Sequence, residues 1–276
     1  MPFVSVIIPT FNRSSVVIRA INSVLNQSNK DFELIVVDDG STDDTELILS
    51  PLIKAGTINY FKHHNLGVSA ARNFGVSKSS GEWISFLDSD DEWFPGKLQE
   101  QIDFLQKNMS FNIVYGQEIW VRNGKRVNQR AVHQKYGGWI FDKCVQQCFI
   151  APSSVMLRAN IFHEMGGFDQ EFTVCEDYDL WLKISSLYEI GYIANPIITK
   201  HGGHDDQLST KYVAMDMWRL RSLVRILKIR NLSDEHMEIV SETIKRKSSI
   251  LMQGYQKHGN STGFEEVEKI LKEINS

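Results

Sequence analysis

Two runs of carboxylates stand where a phosphate-binding protein needs a cation. Asp38 and Asp39 close one apolar run and precede Gly40-Ser41-Thr42, while Asp88-Ser89-Asp90-Asp91 closes another, Trp83-Ile84-Ser85-Phe86-Leu87. Where parallel strands end, loops converge and helix N-termini point into the crevice, so phosphate-bearing ligands bind there. Carboxylates beside a phosphate repel it unless a divalent cation intervenes, so the pattern implies Mg²⁺ or Mn²⁺ between protein and diphosphate. Read as extended chain, Asp88 and Asp90 project to one side and can reach one cation, or one cation and a neighbouring ribose. An isolated Asp-x-Asp triplet also serves as a solvated turn or helix cap. Its place directly after a strand-like run favours the ligand reading.

The elements that must position these residues follow from periodicity. Four short runs rich in Val, Ile or Phe read as strands: Val4–Ile8, Phe32–Val37, Ile58–Lys62 and Trp83–Leu87. Helical patterns alternate with them, which is the mark of a parallel sheet wrapped by helices. Ser14 or Ser15 can cap the first helix, whose stripe is Val17, Ile18, Ile21, Val24 and Leu25; Asp43 or Asp44 can start the second, and Pro51 limits it. Past Pro95 come an amphipathic helix (Leu98, Ile102, Leu105) and a hairpin whose Asn123-Gly124 suits a type I′ turn. A further turn at Gly166-Gly167-Phe168-Asp169 precedes a helix beginning near Glu176, with Leu180, Trp181, Ile184 and Leu187 on one face. That spacing assigns Trp181 to the core rather than to stacking on a ligand. From Thr210 onward the chain reads as two or three helices. The first interleaves Val213, Met217, Leu220, Val224 and Leu227 with Arg219, Arg221, Arg225, Lys228 and Arg230, and packing on the domain is favoured over docking to a membrane surface.

Composition narrows the class. The 276 residues are 42% hydrophobic and 23% charged, as in an ordinary globular protein, and a net charge of −4 gives no positive field to gather nucleic acid. Cys144, Cys148 and Cys175 form an odd set without metal-ligand spacing, which points to reduced thiols. The chain starts on a strand-like run without a basic region and long apolar segment, and lacks a membrane-span-length apolar stretch. A cytoplasmic location is therefore expected.

Taken together, several segments resemble glycosyltransferase family 2, whose members adopt the fold known as GT-A. They are Val4-Ser5-Val6-Ile7-Ile8-Pro9-Thr10-Phe11-Asn12-Arg13, Asp31-Phe32-Glu33-Leu34-Ile35-Val36-Val37-Asp38-Asp39-Gly40-Ser41, Asn65-Leu66-Gly67-Val68-Ser69-Ala70-Ala71-Arg72-Asn73, the Asp88–Asp90 triplet, Gly166–Asp169 and Glu176-Asp177. The order is the family's, over residues 1–210. The resemblance implies an α/β fold with a mostly parallel central sheet flanked by helices. A nucleotide-binding half would span 1–100, an acceptor-side half 101–210, and a helical C-terminal extension 211–276.

It also implies roles. Pro9, Thr10 and Asp39 would line the nucleoside pocket, Asp39 accepting from a base N–H, with Asp38 as the substitute; Arg72 would face the nucleotide. Asp88 would contact ribose or metal, and Asp90 would bind a Mn²⁺ or Mg²⁺ ion on the diphosphate. Asp177 would be the general base of an inverting transfer, where its structural alternative is to cap its helix, and Glu176 would orient the sugar or a loop. Thr199–Ser209 looks like the closing segment, in which His204 is a candidate metal ligand. The donor would be a nucleotide-sugar, UDP by default, and the acceptor a glycan or lipid-linked saccharide. The setting would be the cytoplasm, with peripheral attachment to the inner face of the cell membrane through the C-terminal helices as the less favoured option.

Other classes fit less well. A dinucleotide-binding oxidoreductase needs G-x-G-x-x-G where this chain has Pro9-Thr10-Phe11-Asn12, and no P-loop occurs. A nucleotidyltransferase lacks its glycine-rich N-terminal loop here. The serious alternative is a non-catalytic nucleotide-sugar sensor or scaffold in a polysaccharide assembly complex.

Overall fold

Alternation along Val4–Thr10 (β1) splits the molecule into two layers of core. Val4, Val6 and Ile8 face one side and Ile7 the other, and Leu34 and Val36 part from Ile35 and Val37 in the same way along Phe32–Asp38 (β2). The structure, a computed structural model, describes residues 3–203, 214–229 and 232–275.

Asn59–Lys62 (β3) and Trp83–Phe86 (β4) complete a parallel set in the order β3-β2-β1-β4. The sheet then continues with mixed polarity. Met156–Arg158 (β8) runs antiparallel to β4, Ile113–Arg122 (β6) antiparallel to β8, Gly191–Gly202 (β9) parallel to β6, and Glu92–Trp93 (β5) antiparallel to β9. Lys125–Val127 (β7) closes the hairpin on β6. Its Asn123 and Gly124 both have positive φ, 48° and 74°, as a type I′ turn requires.

Helices Val17–Leu25 (α1), Thr45–Lys54 (α2) and Lys97–Lys107 (α4) cover one face, and Val68–Ser77 (α3) packs on the other. Two local expectations need correction. Neither Ser14 nor Ser15 caps α1, which starts after Val16 without a side-chain cap. The N–H groups of Arg13 and Ser14 are spent on Thr45 Oγ1 and Asp43 Oδ2 of the neighbouring loop at 3.1 and 3.0 Å. Helix α2 also continues through Pro51 to Lys54; the carbonyl that Pro51 leaves without an N–H donor belongs to Leu47, an exposed residue, so the loss does not fall in the core.

Phe141–Gln146 (α5), Ala159–Glu164 (α6) and Glu176–Ser185 (α7) lie on the α3 side, followed by Met215–Ile229 (α8), Asp234–Lys257 (α9) and Ser261–Asn275 (α10). One apolar cluster runs from Ile7 through Trp181 and Leu220 to Val267, so the last three helices share the core of the sheet. Arg219 pairs with Asp216, Arg221 with Glu266, and Arg225 with Asp169 and Glu171, so these arginines serve packing within the chain.

Candidate active site

Parallel strands bring the acidic segments to one edge. Asp38 ends β2 beside Thr10 of β1, and the backbone N–H of Asp39 donates to the Thr10 carbonyl at 2.8 Å. Both Asp39 oxygens accept from the N-terminus of α3: Oδ1 from Leu66 N at 2.8 Å and Oδ2 from Gly67 N at 2.9 Å. Carboxylate and helix dipole thus stabilise each other; Oδ1 also lies 3.3 Å from His63 Nδ1, which leaves Oδ2 the freer acceptor. Asp38 is consumed structurally, accepting from Ser41 N and from the Tyr60 hydroxyl, both at 2.6 Å. The Thr10 hydroxyl is buried without a partner among the described residues. Pro9 precedes it in the fully buried β1.

Helix α3 carries Arg72 under the next loop. Its Nη2 donates to Asp88 Oδ1 and its Nη1 to Glu176 Oε1, each at 2.6 Å, and the guanidinium carbon lies 5.0 Å from the centroid of the Phe168 ring. Phe168 is fixed in turn by Asn73, whose Oδ1 accepts from Phe168 N at 3.0 Å and whose Nδ2 donates to Phe168 O at 2.7 Å. A Cβ on Gly167 (φ 69°) would meet Asn73 Oδ1 at 2.8 Å, so this turn docks closely on α3. Burial opposes the Arg72 charge, but Asp88 and Glu176 outweigh it and raise its pKa; Arg72 in turn holds Asp88 low against the effect of burial.

The Asp88–Asp91 segment is a turn, which corrects its reading as extended chain: Asp91 N donates to Asp88 O at 3.0 Å. Strand pairing has already ended at Phe86, and Asp88 N turns to Ser153 Oγ at 3.1 Å. That hydroxyl donates to Asp91 Oδ2 at 2.6 Å, while Asp91 Oδ1 accepts from His201 N at 3.1 Å. Asp91 is consequently buried, and burial first, then Asp90 and Asp88, push its carboxyl well up. Asp90 lines a cleft of about 290 Å³ with Asn12, Arg19, Asn123 and His201, and its carbonyl accepts from Arg19.

Cys175, left-handed at φ 64°, introduces α7, whose first two residues are Glu176 and Asp177. Glu176 is buried against Arg72, and burial, aided by Asp177, raises it to about 7. Asp177 is half-buried, with Oδ1 accepting from Tyr178 N at 2.7 Å and Oδ2 from the Cys148 thiol at 3.3 Å. Trp181 is 1% exposed, in the core as its spacing requires.

Sequence reasoning gave no role to Lys200, on β9. Burial works against its ammonium, but Glu118, Asp91, Asp88 and Asp177 together raise its pKa. One cation therefore feels carboxylates from the loop after β4, from β6 and from α7. The only signal in the sequence was membership of the Thr199–Ser209 segment; His204, in that segment, lies outside the described residues. No group of three His, Cys, Asp or Glu side chains among the described residues encloses a metal by itself. Hard carboxylate oxygens at 88 and 90 fit a divalent ion whose coordination is completed by phosphate and water.

The architecture has counterparts. A profile described as Glycosyl transferase family 2 matches residues 5–165. The chain belongs to glycosyltransferase family 2. Within that family it is 34% identical over 185 residues to the Escherichia coli protein named UDP-Glc:alpha-D-GlcNAc-diphosphoundecaprenol beta-1,3-glucosyltransferase WfgD, covering 66% of this chain and 69% of that one. An uncharacterized glycosyltransferase of Rickettsia bellii is 39% identical over 197 residues, 70% of this chain but 28% of its own length, so the chain spans less than a third of that relative. Among solved structures, S. aureus TarS 1-349 in complex with UDP-GlcNAc superposes with a TM-score of 0.73 at 18% identity, over 98% of this chain and 91% of that one. The Pyrobaculum calidifontis mannosyltransferase PcManGT, in complex with GDP-Man and Mn²⁺, gives 0.62 at 15% identity over 99% and 75%. These likenesses show the GT-A fold of this family 2 member.

Proposed function

We propose that this chain transfers a sugar with inversion from a nucleotide-sugar to a hydroxyl of a glycan or lipid-linked saccharide. The observation that carries the reading is the Arg72 bridge. By holding Asp88 and Glu176 together it ties the acidic turn, where a diphosphate and its cation would lie, to the start of α7, the helix that carries Asp177.

In the proposed reaction the nucleoside seats over Pro9 and Thr10, where Thr10 offers its unpartnered hydroxyl and Asp39 its freer oxygen, Oδ2, to a base N–H. Arg72 acts from beneath, fixing Asp88 for the ribose or the cation instead of touching the nucleotide through its bonded nitrogens. Asp90, with Asp88, would hold a Mn²⁺ or Mg²⁺ ion that supplies charge stabilisation for the departing diphosphate. Lys200 adds fixed positive charge from the protein. Asp177 accepts the proton of the acceptor hydroxyl as it attacks the anomeric carbon from the face opposite the leaving group. Glu176 holds the start of α7 in register through Arg72. UDP is the proposed nucleotide, in keeping with the names of WfgD and of the TarS complex. Among the described residues no helix is long and apolar enough to cross a membrane.

Thermal shift against UDP-, GDP- and dTDP-sugars, with Mn²⁺ and with a chelator, tests the reading. A donor bound only by the folded state at about 100 times its Kd adds about 2.7 kcal/mol of stability. We expect a rise for one nucleotide class that the chelator removes, together with slow release of the nucleoside diphosphate. Binding without release for every donor and acceptor tried would favour a sensor.

A further inference from the structure

Asp177 has two hydrogen-bond partners among the described residues, and only one comes with its place in the helix. Tyr178 N is the local one; the Cys148 thiol arrives from 29 residues away. The thiol has one proton and two acceptors within reach, Asp177 Oδ2 at 3.3 Å and the Ile150 carbonyl at 3.5 Å. The nearer and charged acceptor takes it. Cys148 is held there by packing of α5 on α7, where the Tyr178 hydroxyl donates to Val145 O at 2.7 Å. Cys144 and Cys175 are 2% and 5% exposed, whereas Cys148 is only half-buried. The other charged groups facing the pair are Glu176 from α7, Lys200 from β9, Lys135 from the loop before α5 and Arg219 from α8.

We propose that Cys148 is a positioning residue for Asp177, its S–H fixing the rotation of the carboxylate that receives the acceptor proton. The inference rests on the reading of Asp177 as the base. A thiol suits this task because it is a weak donor: it orients the carboxylate while leaving it the electron density a base needs. Burial and the adjacent carboxylate push the Cys148 thiol well up, so it remains a donor at neutral pH.

Two measurements separate this inference from the reading beneath it. In the first, iodoacetamide labelling of Cys148 is followed by peptide mass spectrometry and needs no substrate. Asp177→Asn removes the charge that suppresses the thiolate, so labelling speeds up by about tenfold. An unchanged rate in a variant that melts like the wild type overturns the proposed contact. In the second, UDP release is measured across UDP-sugars with Mn²⁺. Cys148→Ala lowers kcat by about three- to tenfold at unchanged UDP affinity, Cys148→Ser restores most of it, and neither matters once Asp177→Asn is present. Full turnover in Cys148→Ala, or a loss that persists undiminished in the Asp177→Asn background, overturns the positioning role while the base assignment stands. Normal turnover in Asp177→Asn removes the base assignment and this role with it, whatever the labelling shows.

Discussion

Arg72 and Glu176, 104 positions apart in the chain, meet at 2.6 Å in a buried ion pair that joins the first parallel half of the sheet to the helix bearing Asp177. The other arm of the same guanidinium reaches Asp88. A single side chain therefore sets the spacing between the donor edge of the site and its proposed base.

The first prediction follows from that geometry. Arg72→Lys keeps the charge but replaces a planar fork with one point donor, which cannot serve two carboxylates held on separate nitrogens. Leaving one buried carboxylate short of its partner should lower unfolding stability by about 3 kcal/mol. Urea denaturation measures it, and a midpoint equal to the wild type's would show that the clamp is dispensable.

The seating of α3 on the sheet is tested at Gly75. A Cβ there would lie 2.5 Å from Ile7 Cγ2 and 3.2 Å from Val37 Cγ2. Gly75→Ala should therefore destabilise by about 1–3 kcal/mol through overpacking, although alanine is the better helix former by about 1 kcal/mol. A stabilised variant would mean that α3 sits further from β1 than described.

Protonation of Glu176 gives a signed pH dependence. Burial raises it from 4.5 to about 7, so between those values the folded chain binds more proton than the unfolded chain. Stability from this group is complete below pH 4.5 and is lost as pH rises through 7. Urea midpoints from pH 5 to 8 should decline in the wild type and decline less in Glu176→Gln. Parallel profiles would show that Arg72 keeps Glu176 ionised throughout.

The proposed cation site is tested at Asp90. Asp90→Ala should remove most of the Mn²⁺-dependent gain in UDP affinity by calorimetry and leave the weak binding in chelator unchanged. An unaltered Mn²⁺ titration would take Asp90 out of the ligand set.

How much of this was legible in the sequence depended on where each signal resides. Strands β1, β2 and β4 announce themselves because burial on both faces makes them almost wholly apolar. Asn123-Gly124 was legible because few residues accept positive φ twice in succession. Strand β9 was not, since residues 194–196 are exposed, Pro196 interrupts the run, and its register on β6 shifts around Gln117. The Asp88–Asp91 turn could not be seen either, because it is imposed by Ser153 and His201, distant in sequence. Arg72 was singled out through the resemblance, but its two carboxylate partners are a tertiary fact. Lys200 had no signal beyond its place in the Thr199–Ser209 segment; its significance lies in the four acids the fold gathers around it.

Asp177 is proposed to accept the acceptor's proton without helping to bind the donor. The most direct measurement pairs calorimetric donor affinity in Mn²⁺ with turnover for Asp177→Asn, using the donor selected by thermal shift. The predicted result is an unchanged Kd with kcat reduced by about 10²–10⁴-fold; weakened donor binding at normal turnover would contradict it.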